Sequence, residues 1–381
     1  MRWPTVALAE VASIERDGVA PEAIASGTRY LGLEHIESGG QIIGGDPVEA
    51  GDLASTKFAF SPRHVLFGKL RPYLAKIALP DFGGVCSTDI LPVLPGCKLH
   101  RNYLAHFLRQ PEVVALASQR ATGANLPRLS PKALASFDIP LPPLKEQRRI
   151  AAILDQADAL RRLRARALTR LDALGEAIFR EMFGDPRTNP MGWPIKNLAD
   201  LGILDRGVSR HRPRNDPALL GGMHPLIQTG DVSRANDYIT SFGATYSDLG
   251  LKQSKMWRRG TLCITIAANI ADTAILDFDS CFPDSVVGFD TGDEAMNFFV
   301  HRWFGETKAD LERIAPAVAQ KNINLAILRD LPVISPDPAL IASFFARERS
   351  LRELRKGQEA ELASLEKLFA SLQHRAFRGE L

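Results

Sequence analysis

Apolar positions step three and four apart through a long proline-free run that opens at Pro143: Ile150, Ile153, Ala157 and Leu160, then Leu171, Leu174 and Ile178. This is a heptad seam, the pattern of a helix that lies along another helix rather than over a sheet. Ala, Leu, Arg and Glu, all good helix formers, fill the run. Pro143 suits a first helical turn, and Gly184 with Pro186 stops the helix. At ~1.5 Å per residue a helix over residues 143–185 is roughly 55–60 Å long. A second run, residues 337–381, carries Phe344, Leu351, Leu354, Leu365, Leu368 and Leu372. An offset of 194 residues lays Phe344 on Ile150 and Leu372 on Ile178. The same offset lays the one polar a position, Gln358, on its counterpart Arg164. Two helices that share a register and an interruption make the chain a tandem repeat. They are expected to pair as an antiparallel coiled coil.

The remaining chain follows the same repeat. Trp3-Pro4 with Leu8-Ala9-Glu10 is matched by Trp193-Pro194 with Leu198-Ala199-Asp200. Leu66-Phe67-Gly68-Lys69-Leu70 parallels Arg258-Arg259-Gly260-Thr261-Leu262, and Cys86-x-x-Asp89 parallels Cys281-x-x-Asp284. Gly123-Ala124-Asn125-Leu126 parallels Lys321-Asn322-Ile323-Asn324-Leu325, ahead of each linker proline. Short β-branched or apolar runs lie between Gly, Pro, Asn and Asp clusters, which predicts many short strands. Val65–Leu70, Lys76–Leu79, Ile90–Leu94 and Leu262–Ala267 are the clearest, with a helix over Arg101–Gln119 and another over Glu294–Ala315. The expected architecture is α+β: two mixed domains over residues 1–142 and 186–336, each followed by one long helix.

Composition narrows the class. A chain of 381 residues with ordinary hydrophobic and charged fractions holds two domains with real cores. No apolar run reaches the ~18 residues of a membrane helix, and the N-terminus has no apolar core of a signal peptide. Cys86, Cys97, Cys263 and Cys281 are scattered without a C-x-x-C pair, so the expectation is a reduced, cytoplasmic protein without a zinc site. The Cys-x-x-Asp pairs read as strand-end packing rather than sites.

Intrinsic catalysis finds no support in the sequence. A methyltransferase needs a Gly-rich loop after a strand and an Asn-Pro-Pro-aromatic site. Here Gly39-Gly40 and Gly44-Gly45 lack the spacing, and Thr188-Asn189-Pro190 lacks the second proline. The eight histidines form no spaced cluster. A coiled-coil scaffold whose end domains bind protein is the competing class. Clustered cations favour nucleic acid over it despite a net charge of only +3. Arg206, Arg210, His211, Arg212 and Arg214 crowd one loop, and Lys252, Lys255, Arg258 and Arg259 form a second group beside Gln253 and Trp257. In the first domain Lys57, Arg63, His64, Lys69, Arg71 and Lys76 gather within twenty residues. Such loops suit phosphate contacts and Arg or Gln readout of base edges. With Arg128 and Lys321 from the paired Asn segments, the candidates for DNA contact are Lys69, Arg71, Arg128, Arg206, Arg210, Arg212, Arg214, Lys252, Lys255, Arg258 and Lys321. Arg161, Arg162, Arg164, Arg166 and Arg170 fall at different heptad positions and read as a solvated helix with i,i+4 pairs such as Asp158 and Arg162, the alternatives being docking of a partner subunit or contact with phosphates passing the helices.

Ile139-Pro-Leu-Pro-Pro-Leu-Lys-Glu-Gln-Arg-Arg-Ile-Ala-Ala-Ile-Leu154 resembles the start of the central helix of type I restriction–modification specificity subunits. Glu181–Asp185 and the terminal Ala376–Leu381 resemble that family's helix end and C-terminus. Phe67-Gly-Lys-Leu-Arg-Pro72 and Asn125-Leu-Pro-Arg-Leu-Ser130 resemble segments of its target recognition domains. The second linker, Pro332–Pro338, departs from the pattern by lacking the Glu-Gln pair. The resemblance implies a non-catalytic reader of double-stranded DNA, with each domain taking one half of a split site and the helices setting the spacer. It implies two modification subunits that methylate adenine and restriction subunits with a motor and nuclease. S-adenosylmethionine, Mg and ATP would belong to those subunits, leaving this chain without a cofactor. Because the two domains read different half-sites, positions they share, such as Asn125, Asn322, Asn324, Gly68 and Gly260, suit scaffold or phosphate positioning. The unmatched loops Arg206–Asn215 and Pro21–Arg29 suit readout.

Overall fold

A computed structural model of the chain describes residues 3–211, 213–267, 271–314 and 324–381. The chain divides into one unit of Met1–Arg166 with Glu359–Leu381 and another of Ala167–Gln358. Two mixed domains occur in tandem, each followed by a long helix, so the architecture is α+β.

In the first unit a four-stranded antiparallel sheet runs in the order Ala12–Ile14, Ile90–Pro95, Val65–Gly68, Ile77–Ala78. Val65, Phe67, Leu91 and Val93 enter a core shared with the helices. Leu66, Ala78 and Ile90 enter a second core with Leu31, Phe60 and Cys86 of the neighbouring sheet. A sheet covered on both faces needs apolar side chains at both parities, so its strands read as unbroken apolar runs. The neighbouring sheet has five short strands, Gly18–Val19, Lys57–Phe60, Gly84–Cys86, Thr28–Leu31 and Pro47–Val48.

The second unit repeats the plan. Ile203–Arg206, Val286–Asp290, Leu262–Thr265 and Thr273–Leu276 take the same order, and Tyr238–Ile239 adds a fifth, parallel strand. Leu262 and Ile264 face the helical core and Cys263 the other one. In both units the Cys strand pairs in parallel at the cysteine itself, Leu31 with Cys86 and Leu226 with Cys281. The strand register corrects one sequence match. Gly68 closes its strand opposite Ile90, whereas Gly260 precedes the equivalent strand, which begins at Leu262 opposite Phe289. The two glycines are therefore not equivalent. Ala75 and Ala271 are the real counterparts, both left-handed (φ 48° and 59°) just before the next hairpin strand.

The long helices are Leu144–Phe183 and Pro338–Arg378. In the first unit Ile150, Ala151 and Leu154 share a core with Ala376 and Phe377, with Leu372 packed against it. Further along, Arg164 Nη2 lies 2.8 Å from Glu361 Oε2. In the second unit Phe344 meets Phe179 and Phe183 at ring-centre distances of 5.7 and 5.3 Å, with Ile178 alongside, and Arg355 pairs with Asp172 at 2.6 Å. Within each unit the two segments run antiparallel. Ala157 is buried, Ile153, Leu171, Leu351, Gln358 and Leu365 are half-buried, but Leu160, Leu174, Leu354 and Leu368 are 53, 44, 51 and 50% exposed. Those four leucines are corrected out of the seam. The inward position is one residue later, held by Leu154, Arg161, Gly175, Glu348, Arg355, Leu362 and Phe369. Charged residues there are tolerated because packing supplies counter-charges: Asp158 to Arg161 at 2.6 Å and Arg302 to Glu348 at 2.9 Å.

Local chemistry accounts for the helix ends. Buried Gln147 accepts from His100 N–H (2.8 Å) and donates to the Lys98 and Pro142 carbonyls (3.0 and 2.8 Å), fixing the start of the first helix. The equivalent residue of the second helix is Ile341, buried in an apolar core, which explains why the Glu-Gln pair is absent there. Trp3 donates to the Ala376 carbonyl (3.4 Å) and Trp193 to that of Phe183 (3.0 Å). The repeated Trp-Pro thus satisfies orphan carbonyls at each helix end. The expected single helix over Arg101–Gln119 is two, Arg101–Leu108 and Pro111–Gln119, because Pro111 can open a helix but not continue one. Its counterpart runs unbroken over Glu294–Ile314.

Candidate nucleic-acid interface

In the first unit two segments far apart in sequence lie side by side. Leu70 bridges Arg128, Arg71 N–H donates to the Pro127 carbonyl (2.8 Å), and Leu129 N–H donates to the Lys69 carbonyl (2.9 Å). Lys69, Arg71 and Arg128 are thereby gathered. Arg71 is exposed and held in the left-handed region (φ 51°), a strained conformation for a non-glycine residue. Its guanidinium has no ion-pair partner among the described residues. Tyr73 and Leu126, on the same two segments, are both exposed. Arg128 donates from Nε and Nη2 to the two oxygens of Asp89 (2.9 and 3.2 Å), and that carboxylate raises the arginine's pKa. Lys69 Nζ stands 3.9 Å from the same carboxylate.

In the second unit Gln253 organises the basic loop. Its Oε1 accepts from the N–H groups of Arg210 (2.7 Å) and His211 (3.0 Å). Gly207 starts this loop against the Phe282 and Pro283 carbonyls, where a Cβ would lie 2.2 and 2.4 Å from them. Arg214 Nη2 reaches Asp284 Oδ1 at 2.5 Å. Arg206 and Arg210 are exposed, as is Lys252 at the end of the helix Asp248–Lys252. Lys255 pairs with Asp205 (3.4 Å) and covers the Trp257 ring at 3.9 Å. Arg258 does not join this group. It forks onto Asp290 (2.5 and 2.9 Å), at the far end of the strand Val286–Asp290 from Asp284. At ~3.3 Å per strand residue that separation is roughly 20 Å. Asp290, held at about pH 2 by Arg258, the Gly292 N–H and Asn297 against the opposing effect of burial, is part of a structural knot. Arg212 and Lys321 lie outside the described residues, as does Asn322.

Several sequence expectations change character. Asn324 Oδ1 accepts from Ile327 N–H and caps a helix, as Ser130 does for Ala133 in the first unit. Arg29, in the Pro21–Arg29 loop, is tied down: it donates to the Gly45 carbonyl (2.8 Å) and lies 3.4 Å over the Phe82 ring. Of the helix arginines, Arg166 and Arg170 are exposed as expected and the Asp158–Arg162 pair is present, but Arg161 and Arg162 are only partly solvated. Arg161 and Arg162 both grip Asp158, and Arg162 also donates to the Gly39 carbonyl (2.9 Å). Asp89 and Asp284 were missed as functional candidates. Their signal was the repeated Cys-x-x-Asp, whose cysteines are indeed buried strand residues while the aspartates reach outward to arginines.

Among the described residues no group of His, Cys, Asp or Glu could hold a metal ion, and no helix is long and apolar enough to cross a membrane. The family description "Type I restriction modification DNA specificity domain" matches residues 62–172, the stretch that holds Lys69, Arg71 and Arg128. Over that stretch the chain is similar to type I specificity domains. It is 29% identical to the EcoDI specificity subunit of Escherichia coli over 161 residues, covering 41% of this chain and 36% of that relative. The S subunit of a type I system from M. genitalium superposes with a TM-score of 0.62 at 11% identity, covering 99% of this chain and 96% of that one. A chain solved in work on assembly and conformational transition of a type I system gives 0.60 at 20% identity, covering 100% and 98%. These two likenesses extend the shared fold over the whole length.

Proposed function

We propose that the chain is the DNA-reading, non-catalytic subunit of a type I restriction–modification complex. The observation that carries this reading is the coincidence of the specificity-domain match, residues 62–172, with the segment that gathers Lys69, Arg71 and Arg128. Each unit reads one half of a bipartite duplex site, through cations that position phosphates and a few side chains that reach base edges. The paired long helices set the unread spacer. They also dock two modification subunits, which bind S-adenosylmethionine and methylate adenine, while restriction subunits bring ATP- and Mg-dependent chemistry. The exposed leucines support docking in duplicate: Leu160 is equivalent to Leu354 and Leu174 to Leu368. A partner that covers one pair of positions finds the same pair again in the repeat. The test is binding of the purified full chain to duplex DNA across a range of salt. The reading requires affinity that falls steeply with salt. Binding absent at low salt would end it and leave the scaffold class.

A further inference from the structure

Asp89 and Asp284 occupy the same connection in the two units, the turn between the cysteine strand and the central strand that begins at Ile90 or Val286. Each holds an arginine, and the arginines come from unlike places. Arg128 belongs to the loop before the helix Pro131–Ala135, and Arg214 to the loop after the strand Ile203–Arg206. We infer that these aspartates are positioning residues that make Arg128 and Arg214 base-reading side chains, one for each half-site. The inference rests on the DNA-reading function proposed above and deepens it.

Three features argue for bases over phosphates. Arg128 spends Nε and one hydrogen of Nη2 on Asp89, which leaves Nη1 and the outer Nη2 hydrogen as a fixed donor edge. That edge matches the paired O6 and N7 acceptors of guanine. The carboxylate also cancels much of the arginine's charge and would itself repel a phosphate, whereas guanine acceptors are uncharged. Finally, the Arg128 backbone is pinned, since it exchanges both hydrogen bonds with Thr122 (2.8 and 3.0 Å). Such preorganisation suits a geometric reader more than a counterion. Arg71, Arg206, Arg210 and Lys252 have no carboxylate partner among the described residues and are suited to phosphates.

The experiment selects sequences from a duplex library with a randomised core, using the full-length chain and its D89N, R128A, R128K, D284N and R214A variants. Affinity for one unselected duplex is followed against salt in parallel, and melting curves check folding. The wild type should select two half-sites. D89N, R128A and R128K should each lose preference at one common position of one half-site, by roughly 5- to 150-fold. D284N and R214A should do so in the other half. R128K keeps the charge without the fork, so it should lose the base preference while keeping the salt slope. An unchanged selected sequence with uniformly weaker binding and a shallower slope in R128A would make Arg128 a phosphate contact and overturn the inference. An unchanged sequence in D89N and R128K would overturn it even if R128A failed to fold. No selected sequence from the wild type would instead defeat the DNA-reading function itself.

Discussion

Arg302 is the inner charge of the second unit and offers a sharp test of how this repeat tolerates polarity. Its Nη2 lies 2.9 Å from Glu348 Oε2 and its Nη1 3.2 Å from Asp237 Oδ1, and Glu348 is only 4% exposed. Gly175 makes room, because a Cβ there would lie 3.2 Å from both Arg302 Nη2 and Glu348 Oε1. The 194-residue offset places Leu154 and Phe369 at the positions of Glu348 and Gly175; Leu154 belongs to an apolar core and Phe369 packs against it. At these two positions the first unit packs apolar side chains where the second places a carboxylate beside a glycine. Arg302→Met strands Glu348 and weakens Asp237, which keeps His301 at 3.2 Å. Breaking a buried pair in this way costs about 3–5 kcal/mol. Adding Glu348→Leu removes the stranded charge, and since apolar replacement of a whole pair is neutral to stabilising, the double variant should recover most of the loss. Two units need not unfold together, so the assay is hydrogen exchange resolved by segment. Protection over residues 167–358 should fall in the single variant and return in the double. A single-variant loss under about 1 kcal/mol, or a double variant no better protected, would refute the buried-charge reasoning.

Four further outcomes are expected. Asp237 is held near pH 2 from its ordinary 3.8 because the His301 hydrogen bond and the Arg302 charge outweigh its burial. A depressed carboxylate stabilises above its unfolded pKa, so about 2–3 kcal/mol present at neutral pH should disappear as pH falls from about 4 to 2. The stability gap between wild type and Asp237→Asn should shrink over that window, and a constant gap would point to another group. Gln147→Leu removes the side-chain partner of three backbone groups, the Pro142 carbonyl among them buried, and should cost about 2 kcal/mol in exchange protection around residues 98–150. Ile341→Gln should also destabilise the second helix start, since nothing there replaces those backbone partners; a neutral result would contradict the account of the asymmetric linkers. Alanine at Arg206, Arg210 and Arg212 together should weaken DNA binding and lower the salt slope by up to about 3, and an unchanged slope would remove that loop from the DNA.

The repeat was legible because two long helices record their packing in the spacing of apolar residues over many turns. Trp3-Pro4 and Trp193-Pro194 were legible for the same reason, since a side chain with one local task recurs with that task. The inward face was only half legible. Leu160, Leu174, Leu354 and Leu368 outrank Arg161, Arg355 and Glu348 in hydropathy, yet the charged set faces inward. What decides this is supplied by residues far along the chain, Arg302 for Glu348 and Phe369 beneath Arg161 at 4.7 Å. Strand register was beyond the sequence for a different reason: a sheet buried on both faces lacks the period of two that would have separated Gly68 from Gly260. In the candidate interface the cations were visible as clusters. Their aspartate anchors were not, because Asp89 and Arg128 meet only when two loops 39 residues apart fold together.

The central claim, that this chain gives a complex its bipartite sequence preference, is tested most directly by mapping methylated adenines in the genome of a cell expressing it with its modification subunit. Methylation confined to one motif of two short half-sites separated by a fixed, unread spacer is the predicted result, with one half-site alone changing when residues 1–142 are exchanged for those of a relative. Methylation without the chain, a single uninterrupted motif, or a change in both halves on that exchange would contradict it.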